Sequence, residues 1–214
     1  MRFIALSIAA LSTAMIAGGC GVTIEEAKYN VVSKDRNYEV REYAPHVIAE
    51  TVVEGALEDA GNRAFNRLFA YISGKNRSRG KIAMTAPVSQ EAAPEKIAMT
   101  SPVGQRRAEG GWAVSFMMPA SYSMETLPVP DDPEVKLRLV PARRVAAVRY
   151  SGVWSEERYQ RYRGELESWI RQKGFTKLCE PVWARYNPPF TPWLLRRNEI
   201  LIPVDTKGEG ARTQ

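Results

Sequence analysis

Alternating apolar and polar positions predict two strands where the regular part of the chain begins, over residues 38–43 and 46–54. The dipeptide Ala44-Pro45 between them predicts a turn, so the two strands are expected to form a hairpin. Apolar residues then recur at helical spacing, which predicts a helix from about residue 56 to residue 73, ending at Gly74. The first unit of the fold is therefore strand, strand, helix.

The same pattern returns ninety-seven residues later without a gap. Residues 135–140 and 143–152 repeat the two strands, and a second helix is predicted from about Ser155, its N-cap, to residue 173. The later strands are predicted over residues 81–88, 96–103 and 112–118 in the first copy and 182–186 and 199–204 in the second, with loops over 104–111 and 119–133. The expected fold is α+β, a duplicated β-β-α-β unit that forms an antiparallel sheet or distorted β-barrel flanked by two helices.

An octapeptide at residues 81–88 is repeated at residues 96–103 with a single difference. Each copy ends at a proline, which favours extended backbone before it, so we expect two extended segments that face each other. One alternative is that their methionines, Met84 and Met99, form the wall of a ligand cleft. The other, which we favour, is that they fill the core, as methionine usually does.

The N-terminal segment has the features of a secretory signal. Arg2 precedes an apolar run, and small residues lead into Cys20. Small residues before a cysteine resemble the bacterial lipobox, so we expect removal of residues 1–19 and lipidation of Cys20, with ordinary cleavage as the alternative. By the same resemblance, Gly21 implies sorting to the outer membrane. We therefore expect an outer-membrane lipoprotein facing the periplasm, or a periplasmic protein if Cys20 is not lipidated.

The rest of the chain divides into a tether over residues 20–37, a domain over residues 38–204 and a disordered tail over residues 205–214. If Cys20 is acylated, Cys179 has no disulfide partner and the fold depends on its core. The formal net charge of +6 is carried by small basic clusters that could meet nucleic acid, anionic lipid or an acidic ligand. Outside the cytoplasm, nucleic acid is not expected as a partner.

Few residue patterns point to catalysis. The chain has one histidine, His46, which excludes His-rich zinc sites; it is either a surface residue of a turn or an axial iron ligand. The stretch over residues 74–81 resembles a phosphate loop, but its glycine spacing and the residue after its lysine do not fit. No metal ligand set and no catalytic residue is therefore predicted, and we expect a binding protein rather than an enzyme.

Aromatic and proline residues point instead to an apolar cleft. Phe65 and Phe69, with Asn62 one turn earlier, lie along one side of the first predicted helix, and residues 186–193 form a stiff aromatic loop. Apolar walls with cations at the rim suit a flat hydrophobic molecule that carries carboxylates. The alternative is that the two phenylalanines simply pack on the sheet.

Several of these motifs together resemble the SOUL haem-binding family. They are Gly74-Lys75-Asn76, the Met-Thr-Ala-Pro-Val element at residues 84–88 with its second copy, the Tyr-x-Pro-Pro stretch at residues 186–189, and Arg197-Asn198-Glu199-Ile200. The resemblance spans about residues 38–204 and implies a distorted antiparallel barrel with two helices, shared with bacterial effector-binding domains. It also implies binding of haem or another porphyrin in a hydrophobic groove beside the first helix.

Carried over by position, the resemblance implies a set of ligand-binding residues. Basic positions that some family members use for the propionates fall on Asn62 and Thr191, so nearby arginines would substitute. A histidine proposed as a ligand in some members falls on Glu42. The implied binding residues are Asn62, Phe65, Phe69, Arg63, Arg67, Tyr186, Phe190, Trp193 and Arg196.

Three other functions stay open from the sequence. The first is a binding module for another apolar or amphiphilic molecule. The second is a small-molecule hydrolase that uses a buried glutamate, which would need a raised pKa in the pocket. The third is a scaffold lipoprotein without a small ligand, whose groove would be filled.

Overall fold

The computed structural model describes residues 24–79 and 93–206, so the predicted signal, Cys20 and the first octapeptide copy lie outside the described residues. The helices are α1 (Leu57–Ile72) and α2 (Glu156–Gln172). The strands of the first half are β1 (Glu25–Glu26), β2 (Tyr29–Asp35), β3 (Tyr38–Tyr43), β4 (His46–Val53), β5 (Asn76–Arg77), β6 (Thr100–Ser101), β7 (Val103–Ala108) and β8 (Gly111–Met117). Those of the second half are β9 (Val129–Pro130), β10 (Lys136–Val140), β11 (Arg143–Tyr150), β12 (Phe175–Lys177), β13 (Val182–Arg185) and β14 (Asn198–Thr206).

The two predicted hairpins are wrong in their pairing, although their strands are present. β3 pairs with β11 and β4 pairs with β10, so each strand of the first copy pairs with a strand of the second. Tyr43 lies opposite Arg143 and His46 lies opposite Val140, which is one continuous antiparallel register across both breaks. Pro45 therefore interrupts a long strand instead of reversing the chain. Proline lacks an N–H and breaks the hydrogen-bond ladder both in a turn and within an interrupted strand. The sequence pattern therefore does not distinguish the two, and the hairpin was predicted.

The main sheet runs in the order β10-β4-β8-β7-β13-β14-β11-β3-β2, with β12 added to β14. Its pairs are antiparallel, and the α+β class with two helices is confirmed. Within the described ranges this strand order has two ends, so no closed barrel is formed among these residues. The long strands are broken at residues 44–45 and 141–142, and the register continues on the other side of each break.

Each helix covers its own part of the core. α1 buries Ala64, Leu68 and Ile72 against β4 and β8. α2 buries Leu166 and Ile170 against β11, β12 and β14. Neither helix is long and apolar enough to cross a bilayer, in the part of the chain that the structure describes.

Local sequence signals fix the helix ends close to the predicted positions. The Ser155 hydroxyl accepts a hydrogen bond from the Arg158 amide, as an N-cap does, and acidic residues occupy the first turn of α2. Gly74 lies two residues after the end of α1, and its φ of 113° is a backbone conformation that residues other than glycine rarely adopt. Both helices therefore begin and end within a residue of the expected positions.

Two predicted irregular segments contain strands. Residues 29–35, within the expected tether, form β2 at the sheet edge, and residues 104–108 of a predicted loop belong to β7. The sheet supplies β2 and β7 with ladder partners, β3 and β8, that no local pattern indicates.

A buried ion-pair network joins the first copy to the last strand. The Glu199 carboxylate is fully buried and accepts two hydrogen bonds from Arg41, at 2.6 and 3.1 Å, and one from Arg197 at 3.0 Å. Burial alone would raise the pKa of Glu199, but these two guanidinium groups outweigh it and hold the pKa below its usual range. The network is therefore ionised at neutral pH and links β3 to β14.

Replacing Glu199 tests how far the fold depends on this network. Glu199→Gln removes the buried negative charge that Arg41 and Arg197 share, and leaves each guanidinium with one other carboxylate. We expect the free energy of unfolding at pH 7 to fall by about 3 kcal/mol. The matched control is Glu42→Gln, because Glu42 is half-exposed in its ion pair with Arg144. That control should cost about 1 kcal/mol or less in urea unfolding.

The stability of wild-type protein and that of Glu199→Gln should also depend differently on pH. A carboxyl whose folded-state pKa is lowered contributes stability above its unfolded pKa, about 4.3, and loses it as the pH falls through the folded value. Wild-type protein should therefore lose stability more steeply below about pH 4.3 than Glu199→Gln does. Equal slopes in urea titrations from pH 7 to pH 3 would contradict this account.

Candidate functional site

An open groove of about 380 Å³ lies between α1 and the loop after β13. Its volume is within the range of small-molecule sites, about 300–1,000 Å³. The lining is mostly apolar and aromatic. It consists of Ile24, Gly61, Asn62, Phe65, Phe69, Met99, Thr100, Ser101, Val103, Trp154, Arg185, Tyr186, Asn187, Pro188, Pro189 and Phe190.

One wall of the groove is a line of α1 residues at one-turn spacing. Phe65 stacks on Phe69 with ring centroids 5.9 Å apart and meets Phe116 of the core edge-on at 5.2 Å. Phe69 itself is 49% exposed. The wall therefore has one ring packed against the core and one ring that is half-exposed.

The facing wall is the loop from Tyr186 to Phe190. The Tyr186 hydroxyl donates a hydrogen bond to Glu199 at 2.9 Å, and the Arg197 guanidinium lies 3.6 Å from the centre of the Tyr186 ring. Burial and the Glu199 charge raise the pKa of Tyr186 well above its usual value. At the tip of the loop Phe190 is 85% exposed. The base of this wall is thus held by the ion-pair network, while the Phe190 side chain at its tip is exposed to solvent.

Among the described residues, the cation that lines the groove is Arg185. Its Nη2 donates to Gln105 Oε1 at 3.1 Å, and the guanidinium lies 5.3 Å from Trp154 and 5.2 Å from Trp183. Burial lowers the pKa of Arg185 to about 10, so the side chain is still charged at neutral pH. Gly61 allows this arrangement, because a Cβ there would lie 3.2 Å from Nη2.

The other predicted arginines lie outside the groove lining. Arg63 donates to the Glu54 carbonyl, and Arg67 is bound to Thr51 and Asp132, each at 3.0 Å. Both side chains are thus occupied on the β4 side of α1.

Two predicted residues, Trp193 at the end of the aromatic loop and Arg196 just after it, lie outside the groove lining. Arg196 donates to the Thr191 and Pro189 carbonyls and lies 4.5 Å from the Trp154 ring. Trp193, in a 3₁₀ turn, is 53% exposed. Arg196 therefore braces both the loop and the groove-lining Trp154.

His46 does not line the groove. It lies in β4 and borders two other cavities, and its Nδ1 is 2.9 Å from the Ala44 carbonyl oxygen. Burial lowers the pKa of His46, and the nearby charges of Arg143 and Arg138 lower it further. In residues 24–79 and 93–206 no group of three or more His, Cys, Asp or Glu side chains is arranged to hold a metal ion.

Several lining residues were not predicted from the sequence. Met99, expected in the core, does pack against core residues but also lines the groove. Trp154 and Arg185 were missed. Arg185 does carry a signal, because it is two positions after the buried Trp183 and therefore lies on the same face of β13.

Comparison with known proteins gives a family match over nearly the whole chain. The family model described as SOUL heme-binding protein matches residues 24–203. Heme-binding protein 2 from Homo sapiens is 28% identical over 173 residues, covering 76% of this chain and 80% of the human protein. Heme-binding protein 2 from Mus musculus has the same identity and coverage.

Solved structures with low sequence identity share the fold. The C-terminal domain of EcmrR has a TM-score of 0.50 at 12% identity and covers 84% of this chain and 99% of that chain. A hydrolase from Listeria innocua has a TM-score of 0.52 at 12% identity, with coverage of 81% and 94%. At such identities the likeness concerns the fold alone.

Proposed function

This chain belongs to the SOUL heme-binding protein family, and we propose that it binds haem or a related tetrapyrrole in the groove beside α1. The observation that carries this proposal is the pair of facing aromatic walls, with the stacked Phe65 and Phe69 on one side and Tyr186 to Phe190 on the other. Flat apolar molecules gain free energy from stacking between such rings. The exposed faces of Phe69 and Phe190 would be buried by a ligand.

The donor set of the groove suits the porphyrin ring better than its iron. The described lining has no imidazole, thiol or carboxylate, Met99 contributes a thioether, and the Tyr186 hydroxyl is bound to Glu199. Histidine, cysteine, methionine and tyrosine are the usual axial ligands of haem iron. We therefore propose that the ring is held by packing, without a strong axial ligand from the described residues. Bound haem would supply its own redox and ligand chemistry.

A hydrolase that uses a buried glutamate has less support. Among the described residues, Glu199 is a fully buried glutamate bonded to the groove-lining Tyr186. Its pKa is lowered, and its oxygens accept hydrogen bonds from Arg41, Arg197 and Tyr186. A general base of the predicted kind needs a raised pKa and a free oxygen facing the substrate.

The remaining two alternatives differ in what the groove should contain. A scaffold without a small ligand predicted a filled groove, whereas the described residues leave about 380 Å³ open. A binding module for another apolar molecule fits the same walls. Mass spectrometry of ligand that co-purifies with the protein separates it from the tetrapyrrole proposal.

We also propose that the protein is an envelope lipoprotein anchored through Cys20, facing the periplasm, without a nucleic-acid partner. Support comes from the first twenty residues, in which Arg2 precedes an apolar run and small residues lead into Cys20.

A haemin titration tests the main proposal. We expect a saturable change of the Soret band at micromolar haemin, and about tenfold weaker binding for Phe69→Ala and for Phe190→Ala, because each removes an exposed stacking face. Leu178→Ala is the control, since Leu178 is 57% exposed and does not line the groove. An unsaturable response, or equal affinity of all four proteins, would sink the proposal.

Iron-free porphyrin tests how the ring is held. Protoporphyrin IX should bind within about tenfold of haemin, because the described lining offers iron no strong ligand. His46→Ala should leave the spectrum of the haemin complex unchanged. A shifted Soret band or lost binding in His46→Ala would instead identify His46 as an axial ligand.

Substitution of the anchor tests the localisation. In a bacterial host, Cys20→Ser should abolish labelling by radioactive palmitate and move the protein from the membrane fraction to the soluble fraction. Cys179→Ser, which changes the exposed cysteine of the domain, should leave labelling and fractionation unchanged. Equal palmitate labelling of Cys20→Ser and wild type would refute the anchor.

A further inference from the structure

The guanidinium groups of the interior are not neutralised in the same way. Arg41 and Arg197 share Glu199, and each contacts a further carboxylate, Glu39 and Glu26 respectively. Arg185 contacts no carboxylate among the described residues, and its single hydrogen bond goes to the neutral amide of Gln105. Its Nε is buried without a hydrogen-bond partner. Arg185 is thus a partly desolvated cation with unused donors.

The surroundings of Arg185 hold the cation in place without neutralising it. Gln105 is itself fixed, because its Nε2 donates to the Leu57 carbonyl at the start of α1 at 2.6 Å. Trp154 and Trp183 flank the guanidinium at cation–π distance, and Gly61 lets it lie close to the helix backbone. Arg185 is therefore a preorganised donor in the lining of an apolar groove.

Burying a cation without an anion costs free energy, since neither an amide nor a ring face replaces a counter-ion. A guanidinium binds carboxylates and other oxyanions through charge-assisted hydrogen bonds, which are stronger than those between neutral groups. An anionic group on a groove ligand would offset that cost at Arg185.

We propose that Arg185 is the anion-binding group of the groove, so that the groove selects apolar ligands that carry a carboxylate or a similar oxyanion. This rests on the proposed function only in placing the ligand in the same groove. It places the residue that binds the ligand's anionic group on β13, whereas the family resemblance placed such residues on α1 and in the loop.

Two pairs of ligands that differ only in an anionic group test the proposal. The first pair is protoporphyrin IX and its dimethyl ester, and the second is anilinonaphthalene sulfonate and the neutral phenylnaphthylamine. Wild-type protein should bind the anionic member of each pair about tenfold or more tightly. Arg185→Gln should weaken the anionic members by about 10- to 100-fold and leave the neutral members within about twofold.

Arg161→Gln is the matched control. It removes the same charge from α2, where Arg161 is exposed and paired with Glu165, and it should keep the wild-type preference. A structural role for Arg185 predicts a different result, with both members of each pair weakened equally and a lower melting temperature. We expect the melting temperature of Arg185→Gln to lie within about 3 °C of wild type, because no charge partner is lost.

If Arg185→Gln does not fold, a measurement on wild-type protein still tests whether Arg185 binds the anionic group of the ligand. The Arg185 Nε–H resonance in an NMR spectrum should shift when anilinonaphthalene sulfonate is added and stay in place with phenylnaphthylamine. Equal shifts, or an anion preference that survives in Arg185→Gln, would overturn the proposal.

The outcomes also separate this inference from the haem proposal. Porphyrin that binds equally as acid and ester upholds the groove as the tetrapyrrole site and refutes the role of Arg185. An Arg185-dependent preference for the sulfonate without porphyrin binding upholds the role of Arg185 and refutes the tetrapyrrole proposal. Failure of all four ligands to bind refutes both.

Discussion

One buried carboxylate connects the two copies of the repeat to each other and to the wall of the groove. Glu199 accepts hydrogen bonds from Arg41 of β3, from Arg197 beside it and from Tyr186 at the base of the groove wall. Bidentate guanidinium–carboxylate pairing of this kind fixes orientation as well as distance. The position of the groove wall is therefore set by the same interaction that holds the two copies of the repeat together, and disturbing one disturbs the other.

The duplication explains the sheet, but the groove depends on where the two copies differ. Phe65 and Phe69 of α1 correspond, ninety-seven residues later, to Tyr162 and Leu166 of α2. Leu166 is fully buried and Tyr162 stacks on Tyr150 at 3.9 Å, so the equivalent positions on α2 are closed by packing. Phe69, by contrast, is half-exposed. A symmetric framework thus carries one open aromatic face, and this asymmetry is why the groove lies beside α1.

Much of this could be predicted from the sequence, because helices, strands and aromatic spacing are local patterns. The pairing of strands could not, since Ala44-Pro45 has the same local signature whether it reverses a strand or interrupts it. In the groove, Phe65 and Phe69 were predicted from their helical spacing, but Arg185 was missed because a cation at the end of a short strand usually faces solvent. Its position relative to Trp183 becomes informative only once that ring is known to be buried.

Arg41 and Arg185 show two ways of keeping a guanidinium group inside one domain. Arg41 is buried with a full complement of carboxylates, and the cost of its desolvation is met within the folded chain. Arg185 instead contacts the faces of two tryptophan rings and the amide of Gln105. These contacts do not offset the cost of its desolvation in full, and burial lowers its pKa to about 10. Any ligand that binds the native state and not the unfolded chain stabilises the fold by mass action. If that ligand brings an anion to Arg185, the gain in stability and the selectivity for charge have the same physical origin.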